Sequence, residues 1–410
     1  MDGLPETLTA RAPYPGALAP SYDGHGLVNV AATVLRAFGV HTGAPPAAAL
    51  EGGDLLRGVK RIALVLVDGL GHDQLRAAMA KEGLALADAA RAGSLSAITT
   101  VAPSTTTSAI ASACTAAPPL EHGLLGYRLF LKEYACLANM IRFAPILGGA
   151  PFDTRGVEPR SFLTAPTLFE RLRSAGVPAT VLTRKDYIGS ALSRMVHHGA
   201  DTVGFAGQGD FAVHLRRALE TMDRGYVFAY WDLLDSVSHR YGTLTPEHLA
   251  ELALLDHALD REVLSRKGDG GTLLLLTADH GHINIPPANR VDLSKHPDLT
   301  REFLLPPAGE PRYLYLYLKH GREAAARAYL EKEFGGEGAV FTAAEAVERG
   351  YFGPGPAHPS AADRLGDLHL VPTRDNAFLY PFPGEKGELI GRHGGFSREE
   401  MLVPLLAVRL

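Results

Sequence analysis

Acidic and imidazole side chains follow or precede short apolar segments at four places in this sequence. They are Asp68 in VDGLG, Asp235 and His239 in DSVSH, Asp279 and His280 in TADHG, and His393 in GRHGG. Each residue alone is typical of a turn or a helix cap. Gathered at one site, these carboxylates and imidazoles would repel one another or lack partners unless a cation lay between them. Mixed Asp and His ligands suit Zn²⁺, with Mn²⁺ as an alternative, and the set is larger than one tetrahedral ion uses. The residues therefore predict two divalent metal ions.

A run of hydroxyl side chains forms a fifth polar segment, Ala102 to Ser108 (APSTTTS). A helix of small residues is predicted to follow it, over Ala109 to Thr115. Hydroxyl groups at a helix N-terminus often act only as caps, but this position also favours anions. Beside a metal site, such a hydroxyl can serve as a nucleophile. Chemistry alone does not separate Thr105, Thr106 and Thr107 as candidates.

Apolar runs alternate with helical patterns, which predicts βαβ units around a largely parallel sheet. The predicted strands are Arg61 to Val67, Ala179 to Leu182, Tyr226 to Trp231, Thr272 to Thr277 and Pro404 to Val408. The predicted helices include Leu27 to Phe38, Pro166 to Ala175 and Pro246 to Leu264. Three of the polar segments directly follow a predicted strand. Ligands of open α/β sheets bind at the carboxyl ends of strands, so we expect these segments to meet at one edge.

The pattern changes after about Ile285, where a proline-rich stretch leads into a compact α+β unit. Its predicted elements are a strand at Arg312 to Leu318 (RYLYLYL), a helix at Glu323 to Phe334, a strand at Ala339 to Thr342 and a helix at Ala343 to Arg349. We interpret residues 290–360 as a cap inserted into a core of residues 1–289 and 361–410. The chain is then expected to return to the main sheet through Asp367 to Val371 and the C-terminal strand.

The composition is that of a globular protein and argues against nucleic-acid binding and membrane insertion. The chain has 410 residues, of which 46% are hydrophobic and 21% charged, as in ordinary globular proteins. Its net charge of −5 gives no basic surface for a nucleic acid polymer. No apolar run reaches the length of a membrane span, and Met1 to Tyr22 does not resemble a signal peptide. With only Cys114 and Cys136, we expect reduced thiols and a cytoplasmic location. The oligomeric state stays open.

The five polar segments, in this order, resemble the alkaline phosphatase superfamily, and within it the type I phosphodiesterase/nucleotide pyrophosphatase family. The resemblance covers roughly residues 60–285 and 365–410. It implies an alkaline-phosphatase-like three-layer α/β sandwich around a mostly parallel sheet, here with a small α+β cap insertion.

The same resemblance implies a role for each residue. Thr106 matches the nucleophile, which forms a phospho-enzyme in this family. One zinc ion would be held by Asp68, Thr106, Asp279 and His280, and the other by Asp235, His239 and His393. The two ions would act together on the attacking and leaving oxygens.

One position departs from the family pattern. Nucleotide pyrophosphatases usually carry an Asn shortly after a His-Gly motif, and here Tyr127 follows His122–Gly123 in that place. Tyr127 and the adjacent Arg128 could bind a phosphate oxygen, or could simply pack. His282, two residues beyond His280, could line the site.

These residues predict hydrolysis of phosphodiester or nucleotide pyrophosphate bonds in a small-molecule phosphate ester. A phosphomonoesterase or a phosphonate hydrolase on the same scaffold is the alternative. A metal-binding module without activity is disfavoured, because all the metal-ligand positions are retained. The absence of a Cys or Ser followed by x-Pro-x-Arg disfavours sulfate esters.

Overall fold

The computed structural model describes residues 5–51, 54–266, 268–382 and 388–410. A seven-stranded sheet, here called the large sheet, forms its centre. In spatial order its strands are Ser94–Thr99, Leu402–Arg409, Thr272–Thr277, Arg61–Val67, Gly225–Trp231, Ala179–Arg184 and Asp201–Phe205. Leu402–Arg409 runs antiparallel to both of its neighbours, and the last five strands in this order are mutually parallel. The predicted mostly parallel sheet is confirmed.

The central strands are apolar because both faces of the sheet are covered. Every residue of Gly225–Trp231 and Thr272–Thr277 is buried, as is Arg61–Val67 after its first residue. Strands buried on both faces read as continuous apolar runs, which is why the sequence revealed them. The long helices pack in two separate groups, one around Thr106–Thr115 and one around Pro246–Leu259. The large sheet is the middle layer of a three-layer α/β sandwich.

The α-helices include the six predicted from the sequence, most with changes at their ends. They are Thr7–Ala10, Leu27–Ala37, His72–Glu82, Ala85–Ala92, Thr106–Thr115, Pro119–His122, Leu168–Ser174, Ala191–Val196, Gln208–Thr221, Leu233–Tyr241, Pro246–Leu259, Pro297–Thr300, Glu323–Phe334, Ala343–Glu348, Ala361–Leu365 and Arg398–Met401. The hydroxyl segment enters its helix at Thr106, three residues before the predicted start. None of the helices in the described residues is long and apolar enough to cross a bilayer.

A second, four-stranded antiparallel sheet, here called the small sheet, lies in the C-terminal half. Its spatial order is Phe303–Glu310, Tyr313–Leu318, Leu368–Pro372 and Gly338–Thr342. The prediction that the chain returns to the large sheet through Asp367 to Val371 is wrong. Leu368–Pro372 instead pairs with two strands of the small sheet, between Tyr313–Leu318 and Gly338–Thr342. Its sequence, LHLVP, is as apolar as a large-sheet strand, so composition could not tell which sheet it joins. The boundary between core and cap stays a prediction.

Three minor sheets connect these parts. One contains Arg128–Leu131, Cys136–Asn139 and Ala144–Pro145. The other two are pairs, Ile283–Asn284 with Gly391–Arg392, and Arg290–Asp292 with Ala377–Leu379. They position loops that lie beside the carboxyl edge of the large sheet.

A buried ion pair joins the small sheet to the loop that carries His393. Arg312 and Glu400 are both fully buried, and the guanidinium donates to the two carboxylate oxygens at 3.0 and 2.6 Å. The Glu400 carboxylate also accepts from the Gly395 amide at 2.9 Å, two residues after His393. Burial raises the pKa of Glu400, but the charge of Arg312 outweighs it and holds that pKa below its ordinary value.

Replacing Glu400 with Gln is expected to lower the free energy of unfolding by about 3–5 kcal/mol, because Arg312 would be left buried without its counter-charge. Urea unfolding at neutral pH measures this loss. Since the pKa of Glu400 is lowered in the folded state, the stabilisation is present above its ordinary pKa and disappears as the pH falls. Asp54→Asn, which breaks an exposed pair with Arg57, is the control and should change stability by less than about 1 kcal/mol. Equal losses in the two variants would contradict the assigned role.

Candidate active site

The carboxyl ends of three neighbouring parallel strands form the floor of the site. Arg61–Val67 lies between Thr272–Thr277 and Gly225–Trp231, so the polar segments that follow them meet at one edge. The Asp68 amide donates to the Trp231 carbonyl at 2.8 Å, and the Gly69 amide donates to Asp279 Oδ1 at 3.0 Å. These bonds connect the three strand ends directly, as the sequence predicted for this edge.

One group of side chains could donate electron pairs to a metal ion, and such a group is here called a donor group. It contains Asp68, Thr106, Asp279 and His280. His280 Nε2 lies 3.5 Å from Asp68 Oδ1, 3.4 Å from Asp279 Oδ2 and 3.2 Å from Thr106 Oγ1. Asp68 also accepts a hydrogen bond from the Tyr230 hydroxyl. All four side chains are those expected together from the sequence.

A second group of donor atoms surrounds Asp235, in the first turn of the helix Leu233–Tyr241. Its Oδ1 lies 3.3 Å from His239 Nε2 and 3.9 Å from His393 Nε2. The His280 and His393 rings stack with their centroids 3.7 Å apart, so the two groups are contiguous. The structure thus brings together every predicted metal ligand.

Backbone carbonyls fix the tautomer of these imidazoles. His239 Nδ1 lies 2.7 Å from the Gly391 carbonyl, His280 Nδ1 3.2 Å from the Gly281 carbonyl, and His393 Nδ1 3.0 Å from the Ser104 carbonyl. A carbonyl only accepts, so each Nδ1 carries the proton and donates it. Each Nε2 then presents a lone pair toward the carboxylates. Metal-binding histidines are oriented in this way.

Burial and neighbouring groups shift the pKa values of Asp68 and His393. Burial, followed by the carboxylates of Asp279 and Asp235, raises the pKa of Asp68 well above its ordinary value. Burial also lowers the pKa of His393 far below its usual range, and the nearby imidazoles lower it further. Like charges and buried charges both disfavour ionisation, and a cation between these groups would reverse both effects.

Buried ligand atoms that lack a hydrogen-bond partner also indicate a cation at this site. Among the described residues, the buried atoms without a hydrogen bond at this edge include Asp68 Oδ1, Asp235 Oδ1, Asp279 Oδ2 and His282 Nε2. A buried polar atom left without a partner costs about 1–3 kcal/mol. Carboxylate oxygens and imidazole nitrogens are the ligands of Zn²⁺ and Mn²⁺. The residues therefore fit divalent cations.

The structure distinguishes the three candidate hydroxyls. Thr106 is the first residue of its helix, and its hydroxyl meets the His280 donor group. Thr105 occupies the N-cap position without a side-chain capping bond, and it lines the cavity above the site. Thr107 is fully buried, and its hydroxyl has no partner in the described residues. Of the three, Thr106 combines cavity access with contact to the donor cluster.

Tyr127 and Arg128 line the same cavity as Thr106, Asp235 and His393. The Asn139 amide donates to the Tyr127 hydroxyl at 2.6 Å, which leaves the hydroxyl proton of Tyr127 free to donate elsewhere. The Arg128 guanidinium lies over the Phe382 ring, 4.7 Å from its centroid. Arg128 therefore packs on an aromatic ring and also lines the cavity.

Other residues around this cavity were not singled out from the sequence. They are Asn139, Arg142, Glu310 and Arg392, which lie in minor sheets, loops or the small sheet. Burial raises the pKa of Glu310 to about 8. No local motif marks these residues, because only the packing of distant segments brings them to the site. The cavity has a volume of about 1730 Å³.

Comparison with known protein families gives one match. A profile of the type I phosphodiesterase/nucleotide pyrophosphatase family matches residues 62–396. No match among curated protein sequences reaches significance.

Solved structures share the fold. Murine ectonucleotide pyrophosphatase/phosphodiesterase 5 has a TM-score of 0.64 and 16% identity, over 85% of this chain and 87% of the murine chain. An inactive threonine-to-alanine variant of it, in complex with AMP, has a TM-score of 0.63 and 15% identity, over 85% of this chain and 88% of that one. Phosphonoacetate hydrolase from Sinorhizobium meliloti, bound to phosphonoformate, has a TM-score of 0.65 and 21% identity, over 86% of this chain and 90% of that one.

The profile match, which spans most of the chain and all of the site, shows that the protein belongs to the type I phosphodiesterase/nucleotide pyrophosphatase family, phosphoric ester hydrolases of the alkaline phosphatase superfamily.

Proposed function

We propose that this protein cleaves phosphodiester or nucleotide pyrophosphate bonds at a site with two divalent metal ions, through a phosphorylated Thr106. The observation that carries the proposal is the position of the Thr106 hydroxyl. It lies on the cavity wall, 3.2 Å from His280 Nε2, within a cluster of unpaired carboxylate and imidazole donors.

The two donor groups define which residues would hold the ions. Asp68, Thr106, Asp279 and His280 form the first set, and Asp235, His239 and His393 form the second. Ions bound there would supply Lewis-acid stabilisation of charged oxygens and lower the pKa of a bound hydroxyl or water. Zn²⁺ suits the imidazole content best.

Thr106 would act as the nucleophile in the first half of the reaction. Its Oγ forms a bond to phosphorus as the bond to the leaving oxygen breaks, and the leaving group departs with a proton. The helix N-terminus at Thr106 directs backbone N–H groups towards the phosphoryl oxygens. In the second half, water attacks phosphorus, the P–Oγ bond breaks and the Thr106 hydroxyl is regenerated.

The size and charge of the cavity indicate the kind of substrate. Its volume of about 1730 Å³ exceeds the roughly 300–1,000 Å³ of usual small-molecule sites, so substituents fit on both sides of a phosphoryl group. Arg128, Arg142 and Arg392 line it and suit additional anionic groups, such as the second phosphate of a pyrophosphate. Both features favour a diester or a nucleotide pyrophosphate.

Hydrolysis of matched chromogenic substrates tests this function. Zinc-loaded protein is given a bis-aryl phosphodiester, the corresponding aryl monoester and a nucleotide pyrophosphate. We expect kcat/KM to be higher for the diester or pyrophosphate than for the monoester. Preference for the monoester would contradict the proposed substrate class while leaving the metal site in place.

A phosphonate hydrolase is the second candidate, because the arginines of the cavity suit its substrate as well. A carboxylate next to the phosphoryl group would find the same guanidinium charges as a second phosphate. The Sinorhizobium meliloti structure with phosphonoformate shows that a related fold accepts such a compound. Phosphate release from phosphonoacetate, with no turnover of the diester, would select this alternative.

Arg128 is expected to bind an anionic oxygen of the substrate. Arg128→Met should lower kcat/KM by about 10- to 100-fold, mainly through KM, since a hydrogen bond to a charged group contributes roughly 1.5–3 kcal/mol. Steady-state kinetics with the preferred substrate measures this. Tyr127→Phe removes one neutral hydroxyl and should lose no more than about 10-fold. An Arg128→Met variant with unchanged KM would show that Arg128 does not bind the substrate.

A further inference from the structure

A third imidazole lies within the group around Asp235, beside His239 and His393. His282 Nε2 is 3.1 Å from Asp235 Oδ1, nearer than His239 Nε2 at 3.3 Å or His393 Nε2 at 3.9 Å. Donor atoms of Asp235, His280, His282 and His393 all lie within 4.8 Å of one another. By distance alone, His282 belongs to the donor cluster as fully as the two histidines carried over from the family pattern.

The contact of the other ring nitrogen indicates the tautomer of His282. His282 Nδ1 lies 3.2 Å from the Gly69 carbonyl, so Nδ1 carries the proton and donates it. In the neutral ring, Nε2 then holds a lone pair that faces the lone pairs of the Asp235 carboxylate. Nε2 is buried and has no hydrogen bond among the described residues. A cation placed between Nε2 and the Asp235 carboxylate would give both atoms a partner.

Close packing against two glycines holds the His282 ring in one position. Gly69 has a φ of +79°, and a Cβ there would lie 2.5 Å from His282 Cε1. On the other edge of the ring, a Cβ at Gly391 would lie 3.3 Å from His282 Cδ2. The Gln74 amide donates to the His282 carbonyl at 2.7 Å and fixes its backbone. His282 is 1% exposed, so solvent does not satisfy Nε2.

We propose that His282 is a direct ligand of the metal ion held by Asp235, His239 and His393. The inference rests on the two-metal site of the proposed function and adds a third imidazole to one ion. A set of three imidazoles and one carboxylate favours Zn²⁺ over Mg²⁺ or Mn²⁺ at that position. Four protein ligands also leave fewer coordination positions on this ion for water and substrate than three ligands would.

Zinc affinity gives the first test. Metal-free protein is titrated with Zn²⁺ against a chromophoric chelator, for the parent chain and for His282→Gln. One of the two sites in the variant is expected to weaken by at least about 10- to 100-fold, the loss seen even when groups that only support a ligand are removed. The control is His248→Gln. His248 is also fully buried, neither ring nitrogen has a hydrogen bond in the described residues, and it lies outside both donor groups. It should leave both affinities unchanged.

Nitrogen NMR separates a ligand from a residue that merely positions Asp235. In ¹⁵N-histidine-labelled parent protein, assigned through ring-to-backbone correlations, the Nε2 resonance of His282 should move on zinc addition to the range of metal-bound imidazole. A protonated Nε2 in the zinc-saturated protein, donating to Asp235, would overturn the inference. This measurement also decides the question if His282→Gln does not fold.

The outcomes distinguish the inference from the function on which it rests. Zinc bound at two sites with His282 uncoordinated contradicts only the inference. Zinc bound with His282 coordinated, but no phosphate ester or phosphonate cleaved, contradicts only the proposed function. A parent protein that binds no zinc contradicts both.

Discussion

Thr106→Ala is expected to lower kcat by about 10⁴-fold or more, the scale of loss when a covalent nucleophile is removed. The reason is chemical, since alanine offers no oxygen to form the bond to phosphorus. Steady-state hydrolysis of the preferred ester measures the loss. Acid quenching during turnover should also trap a phosphoryl group on the peptide that contains Thr106, and this adduct should be missing from the variant.

Two further substitutions distinguish loss of the nucleophile from damage to the helix. Thr106→Ser keeps a hydroxyl and should retain much more activity than Thr106→Ala. Thr107→Val replaces the adjacent buried threonine, whose hydroxyl has no partner in the described residues, and should stay within a few-fold of the parent. Turnover by Thr106→Ala at the parent rate would show that another group attacks phosphorus.

Removal of metal is expected to abolish activity and to destabilise the fold. The ions supply several kcal/mol of transition-state stabilisation in such sites, so chelator treatment should reduce kcat by about 10³-fold or more. Zinc held at 100 times its Kd should stabilise the protein by about 2.7 kcal/mol per site, which chelation removes. Thermal unfolding of metal-free and zinc-loaded protein, each assayed in parallel, measures both effects.

A variant lacking ligand atoms provides the control for this experiment. Asp279→Asn combined with Asp235→Asn removes a carboxylate from each donor group and should make the melting temperature insensitive to zinc. Restoration of activity by Zn²⁺ but not by Mg²⁺ would agree with the imidazole-rich ligand set. Full activity in the presence of excess chelator would contradict a catalytic metal.

Some of the molecule could be read directly from the sequence because it depends on local patterns. The central strands are continuous apolar runs, since both faces of the large sheet are covered, and Arg61–Val67 and Thr272–Thr277 occupy the predicted ranges. The parallel order brings their carboxyl ends to one edge. Asp68 and Asp279 therefore meet, as their positions directly after these strands predicted.

Other features were ambiguous because the same sequence signal fits two arrangements. The apolar segment Leu368–Pro372 is equally suitable for either sheet, and only its hydrogen bonds to Tyr313–Leu318 and Gly338–Thr342 place it in the small sheet. The three consecutive threonines are chemically alike. Helix geometry rotates successive side chains by about 100°, so only one of them, Thr106, contacts the donor cluster.

The sequence by itself determined the family and the parallel α/β core, and it predicted the candidate metal ligands, because each depends on residue types at fixed places along single segments. Only the tertiary structure decided that His282 lies among those ligands, that Asn139 supports Tyr127, and that Arg312 and Glu400 connect the small sheet to the His393 loop. The contacts of His282 and of Arg312 join segments far apart in the chain, and that of Asn139 crosses a short hairpin. Their closeness is a result of packing, and no local periodicity or motif encodes it.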